Sequence, residues 1–151
     1  YEQLKENIFK ATKNKSPMIL IQEQIRAEEE LIVGANRDGD SLVYESGKGF
    51  GHVVLFGKGG IYTEVYKDTS TGLVPLDVTQ INELIDKTKI SAVIKGARGL
   101  DALAYNKLVG MITAAQKLVL LYPEIESLDI NPAMITKERC VAVDIKIFVK
   151  K

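Results

Sequence analysis

The sequence contains a single cysteine, Cys140, so it forms no internal disulfide, as is typical of proteins in a reducing compartment. Its charge is balanced, because 20 Lys and Arg residues cancel 20 Asp and Glu residues. A neutral chain has no electrostatic reason to bind nucleic acid or an anionic membrane. No apolar run approaches the roughly eighteen residues of a membrane span, and the N-terminal YEQLKENIFK is not a signal peptide. We therefore expect a soluble cytoplasmic protein with neither nucleic-acid nor membrane partners.

The chain does have enough apolar material for one core. Its 151 residues have the length of a single domain, and 46% of them are hydrophobic. A helical pattern over residues 1–12 begins at the first residue without a capping residue, which predicts that the sequence belongs to a larger architecture. Cys140 falls at an alternating strand position, and we interpret it as a packing residue and not as a nucleophile.

The most informative stretch is residues 125–151, which predicts a hairpin of two strands. Over residues 140–149 (CVAVDIKIFV), apolar residues alternate with others, and this period of two is typical of a strand with one buried face. A two-residue turn at 137–138 sets the apolar residues of the two strands opposite each other. The same register sets Asn131 opposite Asp144, on the face away from the buried row, and the pattern allows this pairing or one displaced by two residues.

A neighbouring amide and carboxylate on a polar sheet face suit a magnesium ion. Mg²⁺ prefers oxygen ligands, and it is usually held by one or two protein oxygens together with nucleotide phosphates and water. The alternative is a polar surface pair without a ligand, which is common on exposed sheets. The register also predicts that Asp129 faces Lys146.

Patterns along the rest of the chain predict an α+β domain with a mostly antiparallel sheet covered by helices. Strands are predicted over residues 18–24, 28–36, 42–44, 52–56, 61–67 and 89–94. Helices are predicted over residues 1–12, 77–87 and 101–122. Asp77 and Gln80 form a capping-box pattern, and Asp101 is in position to cap the long helix.

A glycine-rich stretch, GKGG at residues 57–60, follows one of these strands. A dinucleotide-binding motif is excluded because the next segment has a period of two, whereas that motif needs a helix there. The chain also has no GxxxxGK[ST] phosphate-binding motif. Two interpretations remain, namely a connection between strands and a cradle of backbone N–H groups for an anion.

Taken together, the motifs resemble a known family. In chain order they are ILIQEQ, EELIVGANRD, FGHVVLFGKGGIYTEVYKD, LVPL, KGARG, LYPEIESLDINPAMI and VAVDIKI. Their succession resembles the ATP-grasp domain of ADP-forming acyl-CoA synthetases and, more distantly, the nucleotide-binding part of the succinyl-CoA synthetase beta subunit. The family's first lobe, with its phosphate-binding lysine and glycine-rich loop, has no counterpart here. Residues 1–151 are therefore expected to hold the second ATP-grasp lobe and the end of the first.

The resemblance implies a role for each matching residue. The family's metal ligands correspond to Asn131 and Asp144, which implies that this pair binds Mg²⁺. Family nucleotide contacts correspond to Gln22 and Glu23 on the adenine side and to Glu30 at the ribose. No catalytic residue is assigned to this chain.

Other matches concern the phosphates and the shape of the cleft. Arg37, in the family's RD pair, is implied to reach phosphate, with an ion pair to Asp38 or Asp68 as the alternative. Gly59 and Gly60 belong to the family's glycine stretch, which shapes the nucleotide cleft.

The sequence departs from the family pattern at three places. His52 stands where a proline is common, so it does not inherit the family's phosphohistidine role, and we interpret it as a packed strand histidine. Residues 39–49 are longer than the family's turn, and Gly72 replaces an arginine. These departures bear on substrate and activity and leave the expected fold unchanged.

The implied function is binding of Mg-ATP or Mg-ADP for phosphoryl transfer to a phosphohistidine on another domain or on an alpha subunit, which also binds CoA. The whole enzyme would be an ADP-forming acid–CoA ligase. A rival hypothesis is a non-catalytic regulatory module of a protein acetyltransferase, and a third is a scaffold that has lost nucleotide binding. Flanking sequence discriminates between them, because a lysine-bearing lobe upstream favours the ligase and an acetyltransferase domain downstream favours the regulator.

Overall fold

The computed structural model describes residues 2–11, 22–37, 51–61, 63–97 and 99–150. The helices are α1 (Glu2–Ala11), α2 (Thr63–Tyr66), α3 (Val78–Asp86), α4 (Ile90–Ile94) and α5 (Tyr105–Leu121). The strands are β1 (Glu29–Arg37), β2 (His52–Lys58), β3 (Thr69–Leu73), β4 (Ile125–Ile135), β5 (Cys140–Ala142) and β6 (Ile145–Val149). The strand predicted at 42–44 and residues 18–21 of the first predicted strand lie outside the described residues. Residues 22–24, the described end of that strand, are not in a strand.

The strands of the described part of the chain form one antiparallel sheet. Its order is β3, β2, β1, β4, β5, and β6 also pairs with β4. Helix α5 packs across β1, β2, β4 and β5, and α3 packs against β3. This arrangement confirms the predicted α+β class with an antiparallel sheet covered by helices. No helix in the described ranges combines the length and the apolar character that crossing a bilayer requires.

Alternation along β1 gives the sheet two distinct faces. Leu31, Val33 and Ala35 are fully buried, as the sequence predicts. Helix α5 covers this side with buried Leu108, Ile112, Ala115 and Val119. We call this side the helix face, and we call the other side, to which Glu30 belongs by alternation, the open face. Burial of each large aliphatic side chain contributes about 1.5–3 kcal/mol to the free energy of folding. The apolar residues therefore determine which face of β1 is buried, and the residues that alternate with them lie on the other face.

The capping box of α3 is confirmed, but the predicted start of the long helix is wrong. Asp77 accepts a hydrogen bond from Gln80 N at 2.8 Å, and Asp77 N donates to Gln80 Oε1 at 2.9 Å. Helix α5 instead begins at Tyr105, without a side-chain cap. The reason is that Leu103 N donates to Ile94 O and Ala104 N donates to Thr136 O, at 2.8 and 2.9 Å, which holds these residues outside the helix.

Two predicted strands are helices. Residues 61–67 contain α2, whose Thr63 hydroxyl donates to Gly60 O at 2.6 Å, and residues 89–94 contain α4. The Asp68 carboxylate accepts hydrogen bonds from Lys89 N at 2.7 Å and from Ile90 N at 2.8 Å. It therefore caps the N-terminus of α4, although it lies 21 residues before Lys89 in the chain. Periodicity does not distinguish a strand from a helix in segments this short. The next strand, β3, was not predicted because its sequence TSTGL lacks apolar alternation.

The packing interpretation of Cys140 agrees with its surroundings. Its side chain is partly buried, and Sγ lies 3.9 Å from the sulfur of Met111 on α5. Burial raises the pKa of the Cys140 thiol to about 11. The thiol therefore stays protonated at neutral pH and is a poor nucleophile.

Candidate functional site

The hairpin forms with the register that the sequence predicts. Met134 pairs with Val141, and Ile130 pairs with Ile145. At the break between β5 and β6, Asn131 N donates to Asp144 O at 3.1 Å. The predicted neighbours Asn131 and Asp144 are therefore adjacent in the folded chain.

The burial of the hairpin differs from the prediction. The row expected to be buried is about half exposed in its second strand, with Val143 at 46%, Ile145 at 51% and Ile147 at 48%. The reason is that α5 packs over β1 and β4, whereas β6 lies at the edge of the sheet. On β4, Ile130 and Ala133 are both buried opposite Val33 and Leu31, where the β1–β4 register shifts.

Asn131 belongs to the open face, next to the glycine turn at residues 59–61. The Asn131 side-chain oxygen Oδ1 accepts a hydrogen bond from Gly60 N at 3.1 Å. Gly59 N donates to Glu30 O at 2.8 Å, which ties the same turn to β1. The turn therefore connects Glu30 of β1 with Asn131 of β4.

Glycine is required at both positions of this turn. Gly60 has a φ of +85°, and a Cβ there would overlap the Glu30 carboxylate oxygen Oε2. A Cβ at Gly59 would overlap the Leu31 carbonyl group and lie 2.8 Å from Ile32 N. The glycine stretch thus brings the backbone close to Glu30 and Asn131, consistent with the cleft-shaping role that the resemblance implies.

Two clefts open beside these residues. The first, which we call the glycine cleft, has a volume of about 290 Å³ and is lined by Glu30, Gly60, Ile61, Asn131 and Pro132. The second, which we call the hinge cleft, is of similar volume and is lined by Gln22, Glu23, Gln24, Ile25, Met134 and Val143. Met134 and Glu30 are register partners on neighbouring strands, so the two clefts lie side by side.

Asp144 is accessible for binding. Its side chain is 51% exposed, and Oδ2 lies 3.5 Å from the Lys146 ammonium nitrogen. The predicted proximity of Asp129 and Lys146 is confirmed, since the two are register partners. The described residues contain no group of three or more His, Cys, Asp or Glu side chains that could hold a metal.

The donor set nevertheless fits magnesium. The Asp144 carboxylate and the Asn131 amide provide two hard oxygen ligands, and an amide oxygen has a second lone pair beside the one that Gly60 N occupies. Mg²⁺ bound with nucleotide usually takes only one or two protein ligands, and phosphate and water complete its octahedron. These two residues would hold it.

Gln22 and Glu23, the residues that the resemblance places on the adenine side, line the hinge cleft. Gln22 is exposed. Glu23 forms an ion pair with Arg139, with Nη2 at 2.8 Å from Oε1. Hydrogen bonds from Arg139 lower the pKa of the Glu23 carboxyl, so this group is ionised at neutral pH. No sequence pattern indicates this pair, because its members are 116 residues apart.

Arg37 is not part of this assembly. It lies seven residues from Glu30 along β1, roughly 23 Å at the rise of an extended strand. Its guanidinium donates to the carbonyl oxygens of Pro123 and, at 3.3 Å, Ile125. The implied phosphate contact therefore has no support from the geometry of the described chain.

His52 lies at the same distant end of the sheet, opposite Arg37 in the β1–β2 register. It is 5% exposed, and its Nε2 donates to Ile125 O at 2.8 Å. This agrees with the interpretation of His52 as a packed, hydrogen-bonded strand residue.

Residues 1–149 match the ATP-grasp domain family, and the chain belongs to that family.

Known relatives narrow the class further. ADP-forming acetate–CoA ligase I of Archaeoglobus fulgidus is 29% identical over 128 residues, which are 85% of this chain and 17% of the relative. The beta subunit of ADP-forming acetate–CoA ligase I of Pyrococcus furiosus is 32% identical over 126 residues, which are 83% of this chain and 50% of the relative. The chain thus spans at most half the length of either relative.

A solved structure matches nearly the whole chain. It is acetyl-coenzyme A synthetase 1 of Ca. Korarchaeum cryptofilum in complex with coenzyme A and Mg-AMPPCP. The match has a TM-score of 0.81 and 26% identity, and it covers 99% of this chain and 64% of that one. The resemblance to ADP-forming acyl-CoA synthetases is therefore confirmed.

Proposed function

We propose that this chain is the second lobe of an ATP-grasp nucleotide site, with the end of the first lobe, in an ADP-forming acyl-CoA synthetase. The observation that carries the proposal is that the backbones of Asn131 and Asp144 are adjacent, with the Asn131 amide oxygen accepting a hydrogen bond from the glycine turn. An amide that lines a cleft, with an exposed carboxylate on the paired segment, fits a magnesium–nucleotide complex.

Each site residue then has a distinct task. Asn131 and Asp144 hold Mg²⁺, and Glu30 accepts hydrogen bonds from ribose hydroxyls at the glycine cleft. The Glu23 carboxylate already forms an ion pair with Arg139. The base is therefore contacted by Gln22 and by backbone groups of residues 22–25 in the hinge cleft. Gly59 and Gly60 keep the cleft narrow beside Glu30. When bound, Mg²⁺ neutralises charge that develops on the transferring phosphate.

The acceptor of the phosphate lies outside this chain. The Ca. Korarchaeum cryptofilum synthetase was solved with a phosphohistidine segment pointing towards its nucleotide-binding site. By analogy, this lobe works with a phosphohistidine and CoA-binding domain or alpha subunit, and the complete enzyme interconverts acyl-CoA, ADP and phosphate with acid, ATP and CoA.

Nucleotide binding by this chain alone is expected to be weak. An ATP-grasp site closes two lobes over the nucleotide, so one lobe lacks half of the contacts. We expect titration calorimetry with Mg-ATP to give a dissociation constant far above about 1 µM, the level that corresponds to roughly −8 kcal/mol. The complete protein should bind more tightly and in a Mg²⁺-dependent manner. A micromolar or tighter constant for residues 1–151 alone would contradict the division of the site between lobes.

Replacing His52 with asparagine in the complete protein should leave phosphoryl transfer largely intact. The buried imidazole donates to the Ile125 carbonyl, so its loss should cost stability, about 1–3 kcal/mol for an impaired buried hydrogen bond. The measurement is formation of acid-labile, base-stable phosphoprotein, alongside the melting temperature. Disappearance of that phosphoprotein in a folded variant would contradict the interpretation of His52 as a packing residue.

A further inference from the structure

The proposed function gives Arg139 no contact with nucleotide or metal. It ends the turn of residues 136–139 between β4 and β5. Its two terminal guanidinium nitrogens donate to the two carboxylate oxygens of Glu23, Nη2 at 2.8 Å and Nη1 at 3.4 Å. This two-point contact joins the hairpin that carries Asn131 to the segment that lines the hinge cleft.

The turn presents Arg139 from a fixed backbone. Thr136 N donates to Arg139 O at 2.8 Å, and Arg139 N donates to the Thr136 hydroxyl oxygen at 2.9 Å. Glu138 N donates to the same hydroxyl at 3.1 Å. A threonine that accepts from the next residues in this way stabilises a tight turn. The position of the Arg139 backbone is therefore fixed by the turn before any ligand binds.

The hinge segment, residues 22–28, is held differently at its two ends. Its C-terminal end joins the sheet, where Glu28 N donates to Ile135 O at 3.1 Å. Residues 22–27 form neither helix nor strand, although four of them line the hinge cleft. The Glu23–Arg139 contact is an ion pair that ties this part of the segment to the hairpin.

We propose that Arg139 is a positioning residue that holds the hinge segment over the hinge cleft in the conformation that receives the nucleotide base. The inference rests on the proposed function. Arg139 touches no reacting atom. It raises the population of the binding-competent segment, and the apparent dissociation constant falls in proportion to that population. The side chains of Arg139 and Glu23 are 50% and 62% exposed, so the effect should be modest and should weaken with salt.

The test uses Arg139→Met in the complete enzyme. We expect KM and the dissociation constant for Mg-ATP to rise about two- to fivefold at low salt, the range that an exposed ion pair supplies. The values of kcat and of the melting temperature should not change, and the difference from wild type should shrink in high salt. Exchanging the charges in the Glu23→Arg, Arg139→Glu double variant should recover part of the lost affinity.

Lys137→Met is the matched control. Lys137 lies in the same turn, and its ammonium donates to Asp101 at 2.6 Å with similar exposure, but Asp101 lies outside the hinge segment. This variant should bind nucleotide as the wild type does.

Three results would overturn the inference. The first is wild-type affinity in Arg139→Met. The second is an equal loss of affinity in Lys137→Met, which would indicate a general effect of turn charge. The third is a wild-type enzyme without Mg²⁺-dependent nucleotide binding, which would remove the proposed function itself. In the first two cases the proposed function stands and only the role of Arg139 fails.

Discussion

Replacing Asp144 with asparagine in the complete protein is expected to lower Mg²⁺-dependent turnover by roughly 100-fold or more while the protein stays folded. The substitution keeps the shape of the side chain and removes the charge that would face the proposed metal. A metal that neutralises phosphate charge contributes several kcal/mol to the transition state, and each loss of about 1.4 kcal/mol costs a factor of ten in rate.

Stability should change little, because the Asp144 side chain is half exposed and its ion-pair partner, Lys146, is 3.5 Å away. An exposed pair of this kind contributes at most about 1 kcal/mol. The melting temperature without nucleotide is measured alongside Mg²⁺-dependent ADP phosphorylation. Glu138→Gln removes one exposed carboxylate from the turn of the same hairpin and should leave turnover unchanged. If the Asp144 variant unfolds, the Asp144 carboxylate is needed for stability. If the variant keeps wild-type turnover, Asp144 is not part of the metal site.

Replacing Gly60 with alanine is expected to weaken nucleotide binding by about tenfold or more in the complete protein. Gly60 has a positive φ of +85°, which costs an L-residue roughly 1–2 kcal/mol. The new methyl group would also displace the Glu30 carboxylate from the glycine cleft. A loss of about 1.4 kcal/mol of binding free energy corresponds to a tenfold loss of affinity.

Gly51→Ala separates these two effects. Gly51 has nearly the same φ, +86°, but a Cβ there would meet no atom of the described residues within 4 Å. Both variants should lose stability through the backbone, as thermal unfolding would measure, whereas only Gly60→Ala should lose nucleotide affinity. Equal affinities for the two variants would contradict the role of Glu30 at the cleft.

The parts of the site that lie within one hairpin were predictable from sequence. The period of two over residues 140–149 restricts the register to one that pairs apolar with apolar residues or to one displaced by two, and with a turn at 137–138 Asn131 lies beside Asp144. Strand β1 and the capping box at Asp77 were predictable for the same reason, because their signals are local.

Contacts between distant segments were not predictable from local pattern. The hydrogen bond from Gly60 to Asn131 spans 71 residues and depends on how the turn after β2 packs against β4. The helices α2 and α4 are too short for their periodicity to show, and α4 depends on Asp68 for its cap. The family resemblance placed Arg37 at phosphate, yet strand length puts it at the far end of β1 from Glu30.

Locating the metal directly tests whether this chain holds a magnesium–nucleotide complex at the hairpin. Crystals of the complete protein with Mn²⁺ in place of Mg²⁺ and a non-hydrolysable ATP analogue would show the ion by its anomalous scattering. We predict one anomalous peak about 2.0–2.3 Å from both a carboxylate oxygen of Asp144 and Oδ1 of Asn131, with nucleotide phosphate oxygens as further ligands. A nucleotide bound with its metal away from this pair would contradict the account.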